Sequence, residues 1–133
     1  MSTPEVAAWT HVITNSSASE FVPFDGPEAG GTGGIATFGE IAVQRDTAYD
    51  GTRHVAAFWR AEPATSPLYD VPLGDESGYV IRGSATIELI DTGEEVELKA
   101  GDLYSFKKGT LTRWTIHESF EKFVVVTDPA VKA

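Results

Sequence analysis

Cysteine and histidine, two residue types that commonly carry out catalysis, are scarce in this chain. Cysteine is absent, which excludes disulfides and thiolate metal sites and makes a cytoplasmic location the default expectation. The three histidines, His11, His54 and His117, lie far apart in the sequence. His54 could act as a general base, because an unperturbed imidazole titrates near neutrality. A lone histidine without a visible partner is more often structural, however, and the most interesting candidate for chemistry is the carboxylate of Glu76.

The elements that must position Glu76 are short strands separated by glycine-bearing turns. Residues 85–89 alternate apolar and polar side chains, which predicts a strand with one buried face. A turn at 91–93 and a second alternating run around Val96 and Leu98 complete a predicted hairpin. Residues 103–106 are rich in β-forming types and lie between turns at 100–102 and 107–109.

The rest of the chain continues this pattern. Strands are predicted at 35–43, 54–60, 112–116 and 123–126, and no segment has a convincing helical period. The VPF segment before residue 25 is bounded by prolines and is expected to be extended. The GGTGG stretch is a flexible link and lacks the features of a phosphate-binding loop. Short strands with turns at this spacing predict an antiparallel sandwich or barrel.

Composition narrows the class of protein. A length of 133 residues, with 41% hydrophobic and 11% aromatic side chains, suits one folded domain. No apolar run approaches the length of a membrane span, and the first residues show no secretory signal. The net charge of -10 would repel phosphate backbones, so neither nucleic acid nor a membrane is expected as a partner.

Three motifs resemble the cupin superfamily. Glu76, followed after six residues by Gly83, resembles the end of the first cupin motif. The string GDLYSFKKGTLTRW at 101–114 resembles the second motif of the branch that contains (S)-ureidoglycine aminohydrolase and the ethanolamine-utilisation cupins, a DUF861-type branch. The segment AAFWRAEP at 56–63 resembles a strand of that branch. The resemblance covers residues 54–127, over half of the chain.

This resemblance implies an all-β, single-domain cupin, which is a double-stranded β-helix or jelly-roll barrel. Residues 1–34 would form an extended N-terminal segment that packs on the barrel or on a dimer partner, and residues 35–133 would form the barrel. Cupins commonly dimerise, and exposed strand edges need cover, so we expect a homodimer.

The resemblance also implies where a metal would bind, and the sequence departs from the family pattern there. The places of the first-motif histidines fall among Tyr69, Asp70, Val71 and Pro72, and the place of the second-motif histidine is Thr112. Because imidazole supplies most of the affinity for transition metals, we predict neither a resident metal nor another cofactor. Only a hard cation held by carboxylates remains open.

If the strand of Glu76 keeps the family register, its carboxyl points into the barrel. Counting by two then places Gly78, Val80 and Arg82 on the same side, and Gly78 and Thr112 would leave room in the lumen. The predicted ligand pocket contains Glu76, Trp59, Tyr69, Asp70, Tyr104, Phe106, Thr112 and Trp114. A partly desolvated carboxyl has a raised pKa suited to acid–base catalysis, and Glu76 is the predicted catalytic residue. The alternatives are a structural role for Glu76 and a plain barrel core for the aromatic residues.

The primary functional hypothesis is a barrel without a histidine-ligated metal that binds a small polar metabolite inside it, with or without transforming it. One alternative is a metal-dependent hydrolase or lyase like the ureidoglycine aminohydrolase branch, which rests on analogy. The other is a non-catalytic dimeric scaffold or ligand sensor. Whether the chain is an enzyme is not decided by the sequence.

Overall fold

A computed structural model describes residues 11–132, which are almost entirely antiparallel strand. After a short 3-10 helix at Ser16–Ala18, the strands in chain order are β1 Val22–Pro27, β2 Ile35–Thr47, β3 Thr52–Ala61, β4 Ala64–Thr65, β5 Asp75–Leu89, β6 Glu94–Lys99, β7 Leu103–Phe106 and β8 Thr112–Lys132. Within residues 11–132 no helix has the length and apolar character that a bilayer crossing requires. The predicted all-β fold is confirmed.

The long strands β5 and β8 form the centre of the fold. They pair antiparallel from Asp75 opposite Thr127 to Leu89 opposite Thr112. The first half of β5 also pairs with β7 and its second half with β6, while β8 pairs with β3 and β4 in different halves. The halves of the long strands thus have different neighbours, and the sheet folds over into a barrel.

The bend in β5 has a local cause at Gly83. The register between β5 and β8 shifts between Val80 and Ala85. Gly83 has φ +86°, and a Cβ atom there would lie 2.2 Å from the carbonyl oxygen of Ser119. Only glycine permits this backbone conformation at this close approach. The prediction that Arg82 lies on the inner face with Glu76 is wrong. Arg82 is exposed and forms an ion pair with Glu121, because the shifted register breaks the period of two.

Strand positions otherwise follow the sequence pattern closely. The hairpin turn between β5 and β6, strand β7 and the turns on either side of it lie where the sequence predicts them. Strand β8 differs, because it runs without interruption through 112–132 and absorbs the strand predicted separately at 123–126. Every second side chain of β8 from Thr112 to Ile116 and from Phe120 to Asp128 is buried, so one face of this strand crosses the whole barrel.

The N-terminal part of the chain joins the same sheet. Strand β1 pairs with β2, and the backbone N–H of Gly30 donates a 3.0 Å hydrogen bond to Oδ2 of Asp70. The extended N-terminal segment predicted at residues 1–34 includes residues 1–10, which lie outside the described residues. The boundary at residue 34 and the contact with a second subunit stay predictions.

Candidate functional site

The barrel contains an apolar cavity of about 90 Å³. Half-buried or exposed residues from β1, β2 and the loop after β4 form its rim: Phe24, Ala36, Pro67, Leu68 and Tyr69. Buried residues from β3, β5 and β8 form its floor: Trp59, Glu76, Trp114, Lys122, Val124 and Val126. A cavity with apolar walls and a few convergent polar groups is the usual form of a small-molecule site.

The polar groups of the floor form a hydrogen-bonded cluster of Glu76, Tyr104 and Lys122, called here the polar cluster. The Tyr104 hydroxyl donates to Oε2 of Glu76 at 2.5 Å, and Nζ of Lys122 donates to the same oxygen at 3.2 Å. Nζ of Lys122 also lies 2.5 Å from the Tyr104 hydroxyl oxygen. The side chains of Lys122 and Glu76 are only 8% and 7% exposed, so this is a buried ion pair.

The strand register explains how these side chains meet. On the inner face, Gly78 of β5 lies opposite Tyr104 of β7, and Val80 lies opposite Lys122 of β8. A Cβ atom at residue 78 would lie 2.3 Å from Cε1 of Tyr104. The room predicted at Gly78 is therefore filled by the tyrosine ring, which passes over the glycine to reach Glu76.

Three aromatic rings surround the ammonium group of Lys122, and we call them the aromatic cage. Nζ lies 4.2 Å from the ring centroid of Trp114 and 4.9 Å from those of Trp59 and Tyr104. The two tryptophan rings pack edge to face with centroids 6.3 Å apart. The faces of aromatic rings attract a cation, more strongly where water is excluded. The aromatic cage thus provides part of the stabilisation that Lys122 loses on leaving water.

Burial perturbs the proton affinities of this site. Desolvation lowers the pKa of Lys122, and the charge of Glu76 and its hydrogen bond oppose that shift. Desolvation and the Glu76 carboxylate raise the pKa of Tyr104 well above 10.0. Desolvation, with contributions from Glu76 and Asp70, also raises the pKa of Tyr69. Both tyrosines therefore remain protonated donors across the physiological range.

The structure brings some of the predicted site residues together and leaves others apart. Trp59, Tyr69, Glu76 and Trp114 line the cavity, and Tyr104 reaches it through the polar cluster. Phe106 lies behind Tyr104, with ring centroids 5.1 Å apart.

Asp70 and Thr112 do not line the cavity. Thr112 is fully buried, and its Oγ1 donates to the carbonyl oxygen of Tyr69 at 2.9 Å. The backbones of Thr112 and Tyr69 also exchange two hydrogen bonds of 2.7 and 2.8 Å. Asp70 accepts the hydrogen bond from Gly30. Both residues hold the rim segment that carries Tyr69, and the room predicted at Thr112 is not part of the cavity.

Lys122 lines the cavity and was not among the site residues predicted from the sequence. A signal was present, because Phe120, Lys122, Val124 and Val126 occupy alternate positions in the sequence, although the predicted strand covers only 123–126. Counting by two from Trp114 gives the same face. A lysine in phase with buried apolar residues is unusual, since lysine is almost never fully buried unless it is paired.

The donor set does not fit a resident transition metal of the type common in cupins. Residues 11–132 contain no group of three or more histidine, cysteine, aspartate or glutamate side chains placed to hold a metal ion. Glu76 is the carboxylate among the cavity-lining residues, and the ammonium group of Lys122 already neutralises it. A cation next to Glu76 would therefore meet the repulsion of Lys122.

Comparison with known proteins identifies the family. The model of the EutQ-like cupin domain matches residues 50–123, more than half of the chain, so the protein belongs to this cupin family. This agrees with the resemblance seen in the motifs around Glu76 and Trp114. No curated protein sequence gives a significant match.

Solved structures show the same fold at low sequence identity. A protein assigned as ethanolamine utilization protein Q (EutQ) from Salmonella typhimurium LT2 has a TM-score of 0.58 and 19% identity, over 84% of this chain and 98% of that one. KdgF from Halomonas sp. has a TM-score of 0.62 and 17% identity, over 90% and 94%. The polyketide cyclase RemF from Streptomyces resistomycificus has a TM-score of 0.66 and 17% identity, over 89% and 79%. At these identities the likeness establishes the cupin fold and leaves the function to the site.

Proposed function

We propose that this protein binds a small, uncharged polar molecule in the barrel cavity and acts on it by proton transfer, without a histidine-ligated metal. The observation that carries this proposal is the polar cluster of Glu76, Tyr104 and Lys122 buried at the floor of an apolar cavity. Perturbed titratable groups in a cavity are typical of functional sites.

The free hydrogen-bonding capacity of the polar cluster defines the ligand. An ammonium group has three N–H donors, and Lys122 uses two of them on Glu76 and Tyr104. Among the described residues, no side chain donates a hydrogen bond to Oε1 of Glu76. A ligand can therefore accept a hydrogen bond from Lys122 and donate one to Glu76. A carbonyl, hydroxyl or amide group meets this requirement.

Charge and size restrict the ligand further. Lys122 and Glu76 neutralise each other, so a charged ligand would enter an apolar cavity without a counter-ion, at a large desolvation cost. A volume of about 90 Å³ holds a group of only a few non-hydrogen atoms. Any larger part of the ligand would extend past Tyr69 at the rim.

The polar cluster can also move a proton. Glu76 accepts hydrogen bonds from both Tyr104 and Lys122, so the carboxylate can take a proton from the ligand, and the ammonium group of Lys122 can then return a proton to it. General acid–base catalysis needs a donor or acceptor within hydrogen-bond reach of the reacting atom. Glu76 is therefore the proposed catalytic residue, and the alternative is a structural or sensing role in which the same cluster only binds.

A panel of short-chain alcohols, amides, aldehydes and carboxylates, screened for an increase in melting temperature, tests the binding proposal. We expect uncharged members to stabilise the protein more than carboxylates. Glu76→Gln should remove this stabilisation, while the control Glu88→Gln, at an ion pair outside the cavity, should retain it. Equal ligand responses in both variants would refute the role of Glu76.

Metal content decides between this proposal and the metal-dependent hydrolase or lyase. Protein purified without chelator or nickel resin should contain no stoichiometric transition metal, as measured by inductively coupled plasma mass spectrometry. A near-stoichiometric metal that stabilises the fold would overturn the proposal.

The oligomeric state is a separate proposal. We expect a homodimer, since Leu103 and Tyr79 lie opposite each other on the outer face of β5 and β7 and are 72% and 48% exposed. Light scattering coupled to size exclusion measures the mass directly, and a monomer would contradict this expectation.

A further inference from the structure

Lys122 differs in its surroundings from the other lysines with ion pairs. Its side chain is 8% exposed, whereas those of Lys99 and Lys108 are 79% and 52% exposed. Lys122 lines the cavity and lies within hydrogen-bond distance of a carboxylate and a phenol. A buried amine next to an acid–base pair and an apolar cavity has the surroundings of an amine nucleophile.

We propose that Lys122 condenses with a small aliphatic aldehyde bound in the cavity to form a protonated Schiff base. The inference deepens the proposed function, on which it rests, by naming the substrate class and the covalent step. It is specific to aldehydes because their carbonyl oxygen accepts a hydrogen bond, their carbon accepts a nucleophile and their short chain fits the apolar walls. Carboxylates and amides react far less readily with an amine.

The first step is the activation of the amine. Nζ of Lys122 transfers a proton to Glu76, to which it is hydrogen-bonded, and the ion pair becomes a neutral amine and a neutral carboxylic acid. A low-dielectric cavity favours this neutral pair more than water does, because charged forms lose solvation there. The lowered pKa of Lys122 agrees with this direction.

The remaining steps balance without another reactant. The nitrogen lone pair forms a bond to the aldehyde carbon, and the carbonyl oxygen takes up two protons, one from Glu76 and one from the attacking nitrogen through Tyr104. The carbon–oxygen bond then breaks, water leaves and a carbon–nitrogen double bond with one N–H remains. The single positive charge moves from the ammonium to the iminium, opposite the Glu76 carboxylate and within the aromatic cage.

Reductive trapping tests this step on the unmodified protein. The protein is incubated with propanal and sodium cyanoborohydride at neutral pH, and digested peptides are analysed by mass spectrometry. We expect Lys122 to gain one propyl group at propanal concentrations at which Lys99 and Lys108 remain largely unmodified. At least about tenfold selectivity for Lys122 is expected, equivalent to about 1.4 kcal/mol. Labelling of Lys122 equal to or below that of Lys99 would overturn the proposal.

Variants separate this proposal from simple binding. Lys122→Arg keeps a positive charge but cannot form a Schiff base, so labelling at this site must disappear. Glu76→Gln should slow trapping at Lys122 at least about tenfold, while the surface control Lys99→Arg should leave it unchanged. If propanal raises the melting temperature but Lys122 is not labelled, the Schiff base is refuted and the binding site stands. If no uncharged ligand stabilises the protein and no labelling occurs, the proposed function fails as well.

Discussion

The buried ion pair between Lys122 and Glu76 makes a quantitative prediction about stability. Both side chains are less than one-tenth exposed, so water can screen neither charge when its partner is removed. Removing one partner of such a pair typically costs about 3–5 kcal/mol, because the other charge stays buried alone. We expect this cost for Glu76→Gln and for Lys122→Met individually.

The double variant should be much less damaged than the sum of these effects. Glu76→Gln with Lys122→Met leaves no unpaired buried charge, so its cost should lie well below the additive value of about 6–10 kcal/mol. The resulting interaction energy, about 3 kcal/mol or more, is at the upper end for residues in one network. Small domains have a free energy of unfolding of about 5–15 kcal/mol, so each variant needs a direct test of folding first.

Urea unfolding followed by far-UV circular dichroism measures these free energies without relying on the fluorescence of Trp59 and Trp114, whose rings lie against Lys122. The control is the exposed pair of Arg113 and Glu88, whose N–O distance is 3.5 Å and whose side chains are 39% and 35% exposed. Its interaction energy should be below about 1 kcal/mol. Additivity within about 0.5 kcal/mol for the buried pair would refute the coupling of Lys122 to Glu76.

Two further predictions concern Tyr104 and the glycine beneath it. The pKa of Tyr104 is raised in the native protein, so this tyrosine ionises near pH 10.0 only in the unfolded chain. The free energy of unfolding should therefore decrease as the pH rises above 10.0. The lowered pKa of Lys122 makes stability rise with pH, but only up to pH 10.5, where lysine titrates in the unfolded chain. Above that pH, the melting temperature should therefore fall less steeply with pH in Tyr104→Phe than in the control Tyr79→Phe. Equal slopes in the two variants would contradict this prediction. Gly78→Ala should cost about 1–3 kcal/mol in urea unfolding and abolish ligand-induced stabilisation, because its Cβ would lie 2.3 Å from the Tyr104 ring. The control Gly34→Ala places its Cβ 3.1 Å from the flexible side chain of Glu28, so it should change the free energy of unfolding and the ligand response little. Equal effects of the two variants would show that Gly78→Ala does not act by displacing Tyr104.

Local patterns in the sequence determined the strands and the family. The alternation around Ile87, the turns at 91–93 and 107–109, and the motif that ends at Trp114 predict an antiparallel cupin barrel, and β5, β6 and β7 lie as expected. Alternation is sufficient for this because successive side chains of a strand point to opposite faces. The inward direction of Glu76 was expected from the register that the cupin resemblance implies, and Glu76 is buried.

The alternation of apolar and polar residues failed to predict side-chain direction where the strand pairing is irregular. Counting by two placed Arg82 inside, but the register shift next to Gly83 turns it outwards to Glu121. A shift of one residue exchanges the two faces of a strand. The sequence shows a glycine at this point, but the close approach of Ser119, which fixes the bend, joins residues that are distant in the chain.

The polar cluster itself was decided by the tertiary structure. Glu76, Tyr104 and Lys122 come from three strands, and the last lies 46 residues from the first. The periodicity of β8 could have placed Lys122 inside the barrel, yet no local pattern shows which carboxylate it meets or that Tyr104 crosses Gly78 to join them. Along a regular strand the sequence indicates which side chains share a face, because successive side chains alternate. The pairing of charges across the barrel depends on register, bend and packing, which only the folded chain brings together.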